Sequence, residues 1–204
     1  MLLPLVRACQ EVSDAHLGGG AVLSGAHLRH RLTRDLDLFV HEREEHRELV
    51  RRLPALAEGL GIALSVVRDG GDFVRFSLEG AFELDVIYDR VPDIAKAEQI
   101  DGVVVESLAD LRANKLTCLL SRSEPRDLVD VLFLERAGHD PLQDLGPALA
   151  KDAGIDPAVL AWLLTSFPLR PMPQMLEALD EDTLRAYRDD LAARLKAAAG
   201  GGPP

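Results

Sequence analysis

The sequence predicts a mixed α+β protein, with a small mixed sheet flanked by helices and then a helical C-terminal region. Strand signals occur only as far as Tyr88, and helical periodicity alone runs from Ser107 onwards. The composition, 47% hydrophobic and 28% charged, is that of an ordinary globular chain, and 204 residues are enough to bury one or two cores. The expected division is an α/β core over 1–98, a helical region over 99–198 and a flexible tail over 199–204, where glycine and proline accumulate.

The elements follow in order. Leu2, Leu5, Val6, Cys9 and Val12 recur at helical spacing, which predicts a helix over 2–16. Gly18, Gly19 and Gly20 come next, and Ala21–Leu28 reads as a short helix whose free N–H groups face the glycine loop. Leu36–Val40 is rich in strand formers. A charged helix over Glu42–Leu60 carries Leu49, Leu53, Leu56 and Leu60 as its apolar stripe. Ile62–Arg68, Phe73–Leu78 and Phe82–Tyr88 read as strands, the last two close enough to form an antiparallel hairpin. Ser107 and Asp110 resemble a capping box opening a helix that reaches Ser121. Pro125 takes the first-turn position of the next helix, which Gly138 stops. Ile155–Ser166 and Asp180–Ala199 are helical patterns on either side of the breaker FPLRPMP.

Charge and cysteine usage narrow the function. With 23 Lys and Arg against 34 Asp and Glu, the formal charge of −11 argues against broad capture of nucleic acid, and no DNA partner is expected. Cys9 and Cys118 sit among apolar neighbours and read as buried thiols in a reducing compartment. The N-terminus MLLPLVRACQE is too short and too early charged for a signal peptide, and no apolar run has the length of a membrane span. These features predict a cytoplasmic location without a membrane partner.

The chemistry concentrates in GGGAVLSGAHLRHRLTRDLDLFV, from Gly18 to Val40. Residues i and i+2 of an extended chain share a face, so Asp35 and Asp37 project together while Leu36 and Leu38 face the core. Two carboxylates that close need a cation, and Mg²⁺ is a hard ion suited to carboxylates and substrate phosphates. The competing explanation is a solvated strand edge. Phe82–Tyr88 offers a third carboxylate, Asp85, with Glu83 on the same face as its competitor. Three such groups on neighbouring strands are a usual means of holding two divalent ions for phosphoryl chemistry. Glycine lets backbone approach a phosphate closely, although a tight turn explains three glycines equally well.

Other phosphate and hydrolase chemistries do not fit. There is no GxxxxGK[ST] or GxSxG, and His27, His30, His41 and His46 lack accompanying cysteine spacing for a zinc motif. His27 and His30 read as a surface pair.

The order of these features resembles the nucleotidyltransferase superfamily, and within it the AbiEii-type branch of abortive-infection, type IV toxins. The matching residues are Gly18, Gly19, Ala21 and Val22, then His30, Arg31, Thr33, Asp35, Asp37 and Phe39, then Asp85. A second block comprises Ser107, Asp110, Lys115, Arg122, Arg126, Asp127 and Asp130. Members commonly read GG[ST]A, HRxSxDxDLF and later RDxxDL. The resemblance implies Mg-dependent transfer of a nucleotide from an NTP to an acceptor hydroxyl on tRNA or protein, by a two-metal route. It also implies a toxin with a cognate antitoxin as partner. Asp35, Asp37 and Asp85 would be metal ligands and catalytic residues. Gly18, Gly19, Gly20, Thr33, Lys115, Arg126 and Asp127 would bind the nucleotide, with the helical region completing the cleft. Gly20 stands where the family carries Ser or Thr, so a side-chain phosphate donor is missing. That departure keeps a second expectation open, a catalytically weak or inactive nucleotide- or partner-binding module of the same fold.

Overall fold

A computed structural model describes residues 2–200 as two compact units. Among the described residues, unit 1 comprises 2–27 together with Thr33–Ser107, and unit 2 comprises Leu28–Leu32 together with 108–200. The fold is α+β, with a seven-stranded mixed sheet and eight α-helices among the described residues.

Unit 1 begins with α1 (Leu3–Gln10), which has Pro4 in its first turn, and buries Leu5, Val6 and Cys9. The strands are β1 (His16–Gly18), β2 (Asp35–Val40), β3 (Leu64–Asp69), β4 (Phe73–Leu78), β5 (Phe82–Tyr88), β6 (Glu98–Ile100) and β7 (Val103–Val105). Their order across the sheet is β3-β4-β5-β2-β1-β7-β6. The chain leaves β1 directly into α2 (Gly19–Val22), which continues as a π-helical turn over Leu23–Leu28. The remaining helix of the unit is α3 (Arg43–Gly59), which buries His46, Leu49, Leu53 and Ala57.

Alternation sorts the central strands into two faces. Leu38, Val40, Val74, Phe76, Leu78, Leu84 and Val86 are almost wholly buried on the side where α3 packs. The opposite face carries Asp35, Asp37, Phe39, Arg75, Glu83 and Asp85.

Unit 2 is helical: α4 (Leu108–Ser121), α5 (Pro125–Arg136), α6 (Leu145–Lys151), α7 (Pro157–Leu164) and α8 (Glu181–Gly200). Leu116, Leu119, Leu128, Val131, Leu160, Leu164, Leu184 and Leu191 form its core. Asp156 caps α7 by accepting from the N–H groups of Ala158 and Val159 at 2.7 and 3.0 Å. Gly138 follows α5 with φ +96°, a left-handed conformation that suits glycine.

Four expectations change. The helix expected over 2–16 stops at Gln10, and His16–Gly18 instead forms a central strand, too short and too uniformly buried to show alternation. The strand expected over Ile62–Arg68 runs from Leu64 to Asp69, after a turn closed by Ile62 N–H donating to Ala57 C=O. Residues 98–105 form β6 and β7 of the sheet, so the unit boundary falls after Ser107. Residues 199 and 200 belong to α8, while 201–204 of the expected tail lie outside the described residues.

Candidate active site

β2 and β5 lie side by side and parallel, with Asp35 opposite Glu83 and Asp37 opposite Asp85. Directly opposed residues share a face and sit one strand spacing apart, about 4.8 Å. Four carboxylates therefore converge on one patch of the sheet. Asp85 is buried, and Asp35, Asp37 and Glu83 are half-buried.

One cation enters this patch from the neighbouring strand. Arg75 of β4 opposes Asp85 and donates to both its carboxylate oxygens, Nε to Oδ1 at 2.8 Å and Nη2 to Oδ2 at 2.7 Å. Its remaining nitrogen lies 2.8 Å from Glu83. The hydrogen bonds it donates to Asp85 hold the guanidinium above its usual range, with the charges of Glu83 and Asp35 acting in the same sense. Sequence reasoning did not single out Arg75. The signal was available, because a hairpin closing through Glu79–Ala81 sets Arg75 opposite Asp85.

The glycines border the same patch. Gly18 pairs with Asp37 across β1 and β2, and Gly19 opens α2 with φ +61°. A Cβ on Gly19 would lie 2.1 Å from Asp37 Oδ2, so the carboxylate rests against bare backbone. A Cβ on Gly18 would meet Glu106 Oε2 at 2.6 Å and the Phe39 ring at 2.7 Å. The Gly19 N–H, the first donor of the helix, is given to Glu106 Oε2 at 3.2 Å. Glu106, a buried residue just after β7, thus occupies a position where a helix start attracts anions. It too was missed, because its neighbourhood depends on β7 joining β1. Gly20 lies in the first turn of α2, and Thr33 Oγ1 accepts from the Asp35 N–H at 3.3 Å.

The second sequence block forms a buried ion network in unit 2. Lys115 Nζ lies 2.8 Å from Asp130 and 3.2 Å from Asp127. Arg122 donates to both oxygens of Asp127, at 2.9 and 2.7 Å. Arg31 donates to both oxygens of Asp130 at 2.7 Å, and His30 Nε2 is 2.7 Å from Asp130 Oδ1. Burial opposes charge on Lys115, but Asp130 and Asp127 outweigh it and hold the ammonium above its usual range. Burial likewise works against Asp130, and Lys115, Arg31 and His30 together pull its carboxyl below the ordinary range. Lys115 is thus an interior residue committed to two carboxylates, whereas Arg126 is partly exposed beside Glu124. His30, expected at the surface, is fully buried against Phe133.

The model of the family described as nucleotidyl transferase AbiEii toxin, type IV toxin–antitoxin system, matches residues 6–204. The chain belongs to the AbiEii family. Members are nucleotidyl transferases and toxins of type IV toxin–antitoxin systems. Solved structures share the fold. A candidate nucleotidyltransferase from Helicobacter pylori matches with TM-score 0.60 and 18% identity, covering 98% of this chain and 93% of that one. JHP933 from Helicobacter pylori gives TM-score 0.58 and 18% identity, over 98% and 90% of the two chains. The nucleotidyltransferase toxin MenT4 of Mycobacterium tuberculosis gives 0.54 and 17%, over 94% and 80%. No curated protein sequence matches significantly.

Proposed function

We propose that this AbiEii protein is a Mg²⁺-dependent nucleotidyltransferase that moves a nucleotide from an NTP to a hydroxyl of tRNA or protein, and that it is neutralised by a cognate antitoxin. The observation that carries the reading is the register of β2 and β5, which gathers Asp35, Asp37, Glu83 and Asp85 on one face. The donor set fits a hard divalent ion: four carboxylates face one guanidinium, and every donor is oxygen.

Asp35 and Asp37 are the proposed metal ligands and Asp85 the third carboxylate. Bound Mg²⁺ would lower the pKa of the attacking hydroxyl and stabilise charge on the departing pyrophosphate. Gly19 keeps Asp37 in place by offering no side chain against its carboxylate. Arg75 balances Asp85 and Glu83, so the acidic patch folds without uncompensated repulsion. The backbone around Gly18, Gly19 and Gly20 is the proposed phosphate-facing segment, in which Glu106 competes for the Gly19 N–H. Thr33 holds the entry to β2 through the Asp35 N–H. Arg126 is the proposed direct partner of the nucleotide in unit 2, with the buried Lys115–Asp127 pair in a positioning role.

Calorimetric titration of each NTP with and without Mg²⁺ tests the reading. Binding is expected to need Mg²⁺ and to vanish in Asp35→Asn and Asp37→Asn. Equal NTP binding in those variants, or without metal, would overturn it. Gly20 favours a second reading, a module that binds nucleotide or a partner without turnover. Mg²⁺-dependent NTP binding with no pyrophosphate release on tRNA or protein acceptors would select it.

A further inference from the structure

Three segments distant in sequence bring His16, His41 and Asp93 together away from the four carboxylates. A ring nitrogen of each histidine and a carboxylate oxygen of Asp93 all lie within 4.8 Å of one another. His16 belongs to β1, His41 directly follows β2, and Asp93 lies in the loop after β5. Along the strand direction His41 lies roughly 13 Å from Asp37, and His16, opposite Phe39, roughly 7 Å, at about 3.3 Å per residue.

We propose that His16, His41 and Asp93 form a second metal site, taking a divalent transition ion of the Zn²⁺ class. The polarity of the hydrogen bonds at His41 carries the argument. His41 Nδ1 is 3.0 Å from the backbone carbonyl of Asp89, which only accepts, so Nδ1 carries the N–H. In neutral imidazole Nε2 then presents a lone pair, and it faces Asp93 Oδ1 at 3.1 Å. Two acceptors that close call for a cation between them. An ion about 2.1 Å from each donor in a tetrahedron spaces its ligand atoms by about 3.4 Å, close to this separation. An Nδ1–H bonded to a carbonyl is also the outer contact by which metal-ligating histidines are oriented.

The surroundings suit a built site. His16 is buried, with its ring stacked on Phe39 at 5.8 Å and 5.4 Å from the His41 ring. Asp89 is anchored by its N–H donating to the Val40 carbonyl at 2.9 Å, and its Oδ1 accepts from the Val91 N–H at 2.9 Å. Those bonds turn the loop so that Asp93 returns to His41. His41 and Asp93 remain about a third exposed, which leaves room for water as a fourth ligand. Two imidazoles and one carboxylate favour a borderline ion over Mg²⁺. The ion would clamp the loop after β5 to the ends of β1 and β2.

The test is titration of the metal-stripped full chain with Zn²⁺, and with Co²⁺ as a spectroscopic probe, in millimolar Mg²⁺. One Zn²⁺ per chain is expected, with visible Co²⁺ bands of a low-coordinate site that Zn²⁺ abolishes. His41→Gln and Asp93→Asn should each weaken binding at least tenfold while circular dichroism stays unchanged. Asp37→Asn should leave this binding intact, which separates failure here from failure of the active-site reading. Absence of Zn²⁺ binding by the wild type, or equal binding by the two ligand variants, would overturn the proposal.

Discussion

Gly19→Ala probes whether the glycine segment and the Asp37 carboxylate act as one unit. Two penalties follow from the structure. Alanine at φ +61° costs about 1–2 kcal/mol for the left-handed backbone. Its Cβ would also lie 2.1 Å from Asp37 Oδ2, and regaining ordinary contact requires the carboxylate to retreat by more than about 1 Å. A displacement of that size at a reacting centre lowers the rate by about a hundredfold. Gly71→Ala is the control, since Gly71 has φ +82° but nothing within 4 Å of its Cβ position. Urea unfolding should therefore find Gly71→Ala about 1–2 kcal/mol less stable and Gly19→Ala destabilised by at least as much. Mg²⁺-dependent nucleotidyl transfer should fall only in Gly19→Ala. Equal activity of the two variants would refute the coupling of Gly19 to Asp37.

Removing the Arg75 charge with Arg75→Gln should tighten Mg²⁺ binding about five- to tenfold, as loss of an interaction of the order of 1 kcal/mol, measured by calorimetry. Lys115→Met leaves Asp127 and Asp130 buried with less positive charge and should destabilise unit 2 by about 3–5 kcal/mol in denaturant unfolding. The same network sets an acid limit. Because the folded-state pKa of Asp130 lies below its unfolded value of about 3.9, its contribution is complete above that pH and is lost as pH falls further. Acid titration followed by circular dichroism should show that loss, and Asp130→Asn should flatten it. Burial pushes the Cys9 thiol up to about 12, so Cys9 should not react with a thiol reagent at neutral pH until the chain unfolds.

Local features were legible in the sequence and long-range ones less so. The alternation of Phe73–Leu78 and Phe82–Tyr88 gave both strands with their ends, and Pro125 and Gly138 bracketed α5. The candidate carboxylates could be named because i and i+2 positions share a strand face whatever the strand pairs with. The parallel pairing of β2 with β5 spans nearly 50 residues of sequence, and no local signal encodes it. His16–Gly18 was hidden because a three-residue strand buried throughout has no alternation to read. Asp127 and Asp130 carried an unread clue. They lie among Leu128, Val129, Val131 and Leu132 on α5, and carboxylates so embedded need cations, which Lys115, Arg122 and Arg31 supply. The His16, His41 and Asp93 cluster draws on three segments, so motif spacing missed it.

The most direct test of the central claim follows label from the α-phosphate of each NTP into purified total tRNA, or into protein, with Mg²⁺ present. The wild type should transfer label and release pyrophosphate, while Asp37→Asn, folded as judged by circular dichroism, should fall to background. Undiminished transfer by Asp37→Asn would contradict the assignment of the β2–β5 carboxylates as the catalytic centre.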